Sequence, residues 1–185
     1  WKRNNAAIVG GLSDGGGGIS VSASDVCIES GLKLPSLSNR TREKLTDLLG
    51  EVGSILRNPI DVSQSQFHGP STLFQAMELV TKDPVIELVL IQEDVDTILS
   101  YLSREEVERI NDFLIDLRRR QNKPLVVVLP PGSAEPERLN MEQRLLRASI
   151  PVFPTMQRAA KAIVEINKYF SSKLTSPNKN LSSFR

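Results

Sequence analysis

Two short segments of this chain are apolar at every position, and helical periodicity follows each. They are Leu88-Val89-Leu90-Ile91 and Leu125-Val126-Val127-Val128-Leu129. A strand with one face in water alternates polar and apolar residues, whereas a strand covered on both faces does not. Each run is too short for a buried helix, and Pro130-Pro131-Gly132 stops the second one. These two runs are therefore expected to be the central strands of a sheet with helices on both sides.

The rest of the chain fits that sheet. Ala6–Val9 is a first strand. Ile19, Ala23, Val26, Cys27 and Ser30 are expected on one face of a helix that Gly31 ends. Leu34-Pro35-Ser36-Leu37 reads as a weak or edge strand because of its proline. Ser38 or Asn39 can cap a helix from about Arg40 to Leu49. Asn58-Pro59-Ile60-Asp61-Val62 lies near a strand end. Leu73, Phe74, Met77 and Val80 form a helical stripe after Pro70. Val107, Ile110, Leu114 and Leu117 define what reads as the longest helix, opening near Ser103 with Glu105 and Glu106 in its first turn. Leu139, Leu145, Leu146 and Ala148 mark another helix, Ile150–Phe153 a last short strand, and Ala159, Ile163, Ile166 and Phe170 the closing helix.

Strand and helix thus alternate about five times, which predicts a three-layer α/β fold with a parallel sheet. The natural arrangement is flavodoxin-like, with strand order 2-1-3-4-5 and helices on both faces. Ligands in such sheets sit beyond the carboxyl ends of the strands, at the switch point beside the first strand.

The 185 residues suffice for one well-buried domain. Residues 1–5 read as a linker, 6–170 as the domain, and 171–185, rich in Ser, Asn and Lys, as a flexible tail. The formal net charge of +1 provides no global attraction for nucleic acid or an anionic membrane. The one dense basic cluster, Arg118-Arg119-Arg120, falls at a predicted helix end, where cations suit the dipole. A single cysteine, Cys27, excludes an internal disulfide and fits a reducing, cytoplasmic setting. No run approaches the ~18 apolar residues that would span a bilayer.

Function is most legible after the first strand. Six glycines fall within nine residues, Gly10 to Gly18, and a helix is expected to follow. Glycine is entropically costly, so such a run answers either a sharp strand-to-helix bend or close approach of something to the backbone. A helix starting here directs free N–H groups and a positive dipole end over the loop, which suits an anion such as phosphate. An anion site and a purely structural tight turn both remain open on these grounds. No Gly-Lys-Ser/Thr follows, so the loop is not a P-loop, and a dinucleotide fingerprint fits only with a forced register.

The other candidates favour structural roles. His68, the only histidine, reads as a surface-loop residue with no nucleophile motif beside it. Cys27 reads as inert packing. Glu93, Asp94 and Asp96 read as a solvated helix start. No pattern of metal ligands is present.

In order and spacing, several segments resemble the last flavodoxin-like domain of the nucleoside-diphosphate-forming acyl-CoA synthetases, the superfamily of succinyl-CoA synthetase and ADP-forming acetyl-CoA synthetase. They are Gly15-Gly-Gly-Gly-Ile-Ser-Val-Ser-Ala-Ser-Asp25, Glu29-Ser-Gly-Leu-Lys-Leu-Pro35-Ser-Leu-Ser38 and Asn58-Pro-Ile-Asp-Val62. Lys82-Asp83-Pro84, Leu88–Ile91, Lys123-Pro124-Leu-Val-Val-Val128, Ile150-Pro151-Val-Phe153 and Arg158-Ala159-Ala160 with Ala162 continue the likeness over most of residues 6–170. In that family ATP phosphorylates a histidine, the phosphate passes to a carboxylic acid, and CoA sulfur displaces it.

The resemblance implies that the N–H groups of Gly15, Gly16, Gly17, Gly18, Ile19 and Ser20 help line the phosphohistidine site, with Asn58 and Asp61 in a supporting loop. This chain would supply no catalytic residue and no metal ligand, and alone would bind no cofactor. ATP, Mg and CoA would belong to the complete enzyme, held by CoA-binding and ATP-grasp domains or subunits that would be its partners, in a possible homo- or hetero-oligomer. The sequence also departs from the family. His68 does not match the Ser-His-Thr-Gly-like motif, and Gln92-Glu93-Asp94-Val95 stands where succinyl-CoA synthetase has a second glycine pair. The alternatives are a non-catalytic regulatory or structural domain, as in acetyltransferase fusions, and a small stand-alone binding protein. Flavin is disfavoured in the latter because aromatic residues are scarce.

Overall fold

The computed structural model describes residues 4–10, 17–50, 57–61 and 70–175. In chain order the elements are β1 (Ala6–Gly10), α1 (Gly17–Ser30), α2 (Asn39–Leu49), β2 (Ile60–Asp61), α3 (Pro70–Lys82), β3 (Leu88–Gln92), α4 (Val95–Tyr101), α5 (Arg104–Arg120), β4 (Leu125–Val128), α6 (Glu135–Arg147), β5 (Val152–Phe153) and α7 (Met156–Thr175). All strand pairs are parallel and the order is β2-β1-β3-β4-β5. The flavodoxin-like arrangement expected from the β-α alternation is therefore the one observed.

The unbroken apolar runs divide between two cores. Ala6, Ile8, Leu88, Leu90, Val126 and Val128 face α1 and α7, packing with Ala23, Cys27, Ala159 and Ile163. Ala7, Val9, Val89, Ile91, Leu125 and Val127 face the opposite layer, packing with Leu45, Leu73, Met77, Ile110, Leu114 and Leu145. Successive strand residues point to opposite sides, and both sides are filled, so polar alternation has no place here.

Local signals set several boundaries. Ser38 caps α2, and Ser103 and Glu106 form a reciprocal capping box at the start of α5. Gly31, at φ 102°, stops α1 in a backbone region that side chains with a Cβ avoid. Arg118, Arg119 and Arg120 occupy the last turn of α5, as their position relative to the dipole predicts.

Other expectations need correction. The second strand is Ile60–Asp61; the Leu34–Leu37 segment forms no strand, and only Lys33 bridges to Asn5. Asn58 explains how the sheet tolerates this. Its side chain accepts from Ile8 N–H (3.0 Å) and donates to the carbonyls of Ala6 (2.6 Å) and Pro35 (3.1 Å). The amide thus fills the gap in the ladder between Lys33 and Ile60. The longest helix is α7, with 20 residues against 17 in α5, and it runs beyond Phe170 to Thr175. In α1 the residues buried are Ser20, Ala23 and Cys27, while Ile19 is exposed. The backbone N–H groups of Asn4 and Asn5 both donate to Glu87.

Asp83 is the main polar tie on the α2–α3 side. It is 1% exposed and accepts from Ser38 N–H (2.9 Å), Ser38 Oγ (2.8 Å) and Val85 N–H (2.8 Å). Burial by itself would raise its pKa, but hydrogen bonds from Thr41, Val85 and Ser38 outweigh that and hold it below the usual carboxylate value. A carboxylate depressed in the folded state stabilises the fold above its unfolded pKa, and that contribution is lost as pH falls through the folded value. Urea midpoints are expected to fall below about pH 4, and Asp83→Asn should flatten that acid limb while lowering the midpoint at pH 7. An acid limb unchanged in Asp83→Asn would exclude Asp83 as its source.

Candidate functional site at the carboxyl edge

The carboxyl ends of β1, β3, β4 and β5 lead into the starts of α1, α4, α6 and α7. Each start presents N–H groups without partners inside the helix, so what meets them decides where an anion can bind.

Two starts are closed by the protein's own carboxylates. Asp94 caps α4, accepting from Asp96 N–H (3.0 Å) and Thr97 N–H (3.3 Å). Asp96 reaches across to α6, which has no cap of its own from Ala134, and accepts from Ser133 N–H and Ala134 N–H at 2.6 Å each. Those backbone bonds, Ala134's first, lower the Asp96 pKa. Gly132 permits the contact, since a Cβ there would lie 2.5 Å from Asp96 Oδ2. Gly132→Ala is accordingly expected to displace the carboxylate and speed amide exchange in the first turn of α6, as Asp96→Ala would; unchanged exchange in both would show that the cap is idle.

The starts of α1 and α7 differ, because neither first turn contains an acidic residue. Among the described residues the Thr155 hydroxyl meets the first turn of α7, accepting from Arg158 N–H at 3.2 Å. Between the two starts lies a cleft of about 360 Å3 floored by Gln92, Val128 and Pro130 and walled by Gly18, Ser22, Thr155 and Gln157. A larger cavity of about 420 Å3, mostly apolar but bordered by Arg118, Asn122 and Ser149, lies at the opposite end of β3 and β4.

The residues assigned to the phosphate loop fall out as follows. Gly15 and Gly16 lie outside the described residues, as does His68. Gly17, Gly18, Ile19 and Ser20 form the first turn of α1, and Gly18 and Ile19 border the cleft. Ser20 is 2% exposed, and its Oγ has no hydrogen-bond partner. Asp61 is buried at the end of β2, in register with Gly10 where β1 enters the glycine loop. Among the described residues the Asn58 side chain bonds to the sheet, at Ala6 and Ile8, and to Pro35.

Glu93 is not solvated. It is wholly buried, and its N–H donates to Val128 carbonyl, extending the β3–β4 pairing. Cys27 is also wholly buried, and burial pushes its thiol up to about 12, so it is inert near neutral pH. Of the cleft residues, Gln92 ends β3 and is singled out in sequence only as part of Gln92-Glu93-Asp94-Val95, while Thr155 and Gln157 carry no signal beyond their places just after β5. Among the described residues no group of three or more His, Cys, Asp or Glu could hold a metal, and no helix is long and apolar enough to cross a membrane.

No protein-family model and no curated protein matches this chain. Among solved structures it is similar to the crystal structure of PH0766 from Pyrococcus horikoshii OT3, with a TM-score of 0.73 and 20% sequence identity. The match covers 91% of this chain and 36% of that one, so this chain spans about a third of the neighbour's length. At that identity the likeness establishes the fold.

Proposed function

We propose that this chain is a domain or small subunit of an acyl-CoA synthetase that forms a nucleoside diphosphate. Its role is to complete the phosphohistidine site in the conversion of ATP, a carboxylic acid and CoA to acyl-CoA, ADP and phosphate. The observation that carries the reading is the pair of helices, α1 and α7, whose first turns hold no acidic residue and which start on one cleft at the carboxyl edge. Dipoles and N–H groups there favour a phosphoryl group presented by a companion domain. The histidine, ATP, Mg and CoA belong to the companion CoA-binding and ATP-grasp domains. The exposed Val21 and Ile28, two turns apart on α1, offer apolar surface for such a companion.

A second reading, a regulatory or structural domain of a multi-domain protein, draws on the starts of α4 and α6. Asp94 follows β3 where succinyl-CoA synthetase has its second glycine pair, and Asp94 and Asp96 place carboxylates against both helices. A phosphoryl group is repelled there. Incubating the complete protein with ATP labelled at the γ-phosphate separates the two. An acid-labile phosphohistidine is expected on the first reading, and no label transfer supports the second.

A further inference from the structure

The cavity of about 420 Å3 lies under the amino ends of β3 and β4, between the last turn of α5 and the middle of α7. Its walls include Pro151, Phe153, Ile163 and Ile166. Ile166 is 42% exposed, so part of this apolar wall faces solvent. The volume falls in the range of about 300–1,000 Å3 typical of small-molecule sites, which combine apolar walls with a few convergent polar groups.

Three polar residues border the cavity, each from a different segment. Arg118 comes from the last turn of α5, Asn122 from the connection to β4, and Ser149 from the turn after α6. Asn122 and Ser149 are exposed and Arg118 is half-buried, so all three keep surface that a ligand can reach. Arg118 is the only charged residue among the described residues lining the cavity. Its neighbour Arg120 is held by Glu78 (2.9 Å) and Asp116 (2.7 Å), whereas no described residue pairs with the Arg118 guanidinium.

Ser149 adds an independent sign. Its φ of 59° lies in the left-handed region, where its N–H donates to Leu146 carbonyl and Ile150 N–H donates to Leu145 carbonyl, both at 3.0 Å. This helix ending ordinarily takes glycine or asparagine there, because a Cβ is disfavoured. Serine costs backbone strain at this position, and no described residue bonds its hydroxyl in compensation.

Apolar walls suit an apolar body, and one unpaired guanidinium beside two neutral polar groups suits a single anionic head with acceptor oxygens. A carboxylate has both oxygens in the geometry that arginine pairs with bidentately. A phosphoryl head carries more charge than one cation offsets. We propose that this cavity binds a small amphipathic carboxylate, its head on Arg118 with Asn122 and Ser149 beside it, and its hydrocarbon part against Phe153, Ile163 and Ile166. The site lies at the opposite end of the strands from the carboxyl-edge cleft, so it stands apart from the proposed phosphohistidine role.

Octanoate, titrated into the full chain, is the probe. Octanol has the same body without the charge, and acetate the charge without the body. The methyl signals of Ile163 and Ile166 in 13C spectra and the amide signal of Ser149 in 15N spectra read the cavity. Octanoate is expected to move all three saturably, and octanol and acetate to bind at least about tenfold more weakly, consistent with loss of a charge-assisted pair or of buried apolar area. Arg118→Gln should weaken octanoate by about tenfold and leave octanol unchanged. Ser149→Gly should weaken octanoate a few-fold while leaving the urea midpoint unchanged or higher, because glycine relieves the backbone. A serine with a purely structural role would not separate those two readouts. Signals that octanoate does not move, octanol bound as tightly as octanoate, or octanoate binding unchanged in folded Arg118→Gln overturns the proposal. Signals that shift with protein concentration instead of octanoate assign this face to contact between copies of the chain and overturn it as well.

Discussion

Valine in place of Gly18 is expected to leave the fold intact and, on the proposed function, to lower phosphohistidine formation in the complete protein by about 100-fold, the loss typical of removing one oriented donor from a charged site. The two effects separate because of where Gly18 lies. It sits in the first turn of α1, bordering the cleft. A Cβ there would meet nothing within 4 Å, and its φ is not in the left-handed region. Valine is also no worse than glycine in a helix, so the urea midpoint should be unchanged or slightly higher. What the added isopropyl group obstructs is approach from outside to the N–H groups of the turn. Acyl-CoA formation within twofold of the unsubstituted enzyme would remove α1 from the proposed site. A shifted midpoint together with lost activity would show damage to the fold instead, and Gly18→Ala, with a smaller group, would then decide.

Asn58→Leu is expected to cost roughly 3 kcal/mol or more of stability, measured by urea unfolding, because it leaves three backbone groups without partners at about 1–3 kcal/mol for each that is buried. Leucine has nearly the shape of asparagine, so packing changes little. Ile8 N–H and the carbonyls of Ala6 and Pro35 lose the amide that links them. Asn58→Asp tests the direction of those bonds. Aspartate still accepts from Ile8 N–H but donates to neither carbonyl when ionised, so it should destabilise nearly as much at pH 7. A loss under about 1 kcal/mol in both variants would mean that the ladder closes without Asn58.

The architecture was legible because it rests on short-range patterns. Leu88–Ile91 and Leu125–Leu129 are apolar throughout because both faces of the sheet are covered. Ser38, Ser103 with Glu106, and Gly31 mark helix ends through bonds within a few residues of themselves. The second strand was misplaced for the complementary reason. Its pairing with β1 is divided between Lys33, the Asn58 side chain and Ile60–Asp61, and no local period marks such a composite. Glu93 looked like a surface charge because nothing adjacent in sequence shows that its backbone joins the β3–β4 pairing and its side chain is buried.

The candidate site divides along the same line. Sequence alone placed the glycine run after the first strand and, through strand order, at the ligand edge of a parallel sheet. It read Glu93, Asp94 and Asp96 only as a solvated helix start. Only the tertiary structure decided which helix starts Asp94 and Asp96 close. Asp96 turns away from its own helix to cap α6, a contact across 37 residues that Gly132 makes room for. It likewise decided that Asn58 serves the sheet and that Arg118, Asn122 and Ser149 border one cavity. Periodicity and caps are set by neighbours along the chain, whereas these contacts exist only once elements distant in sequence have packed and each side chain has a single direction left to point.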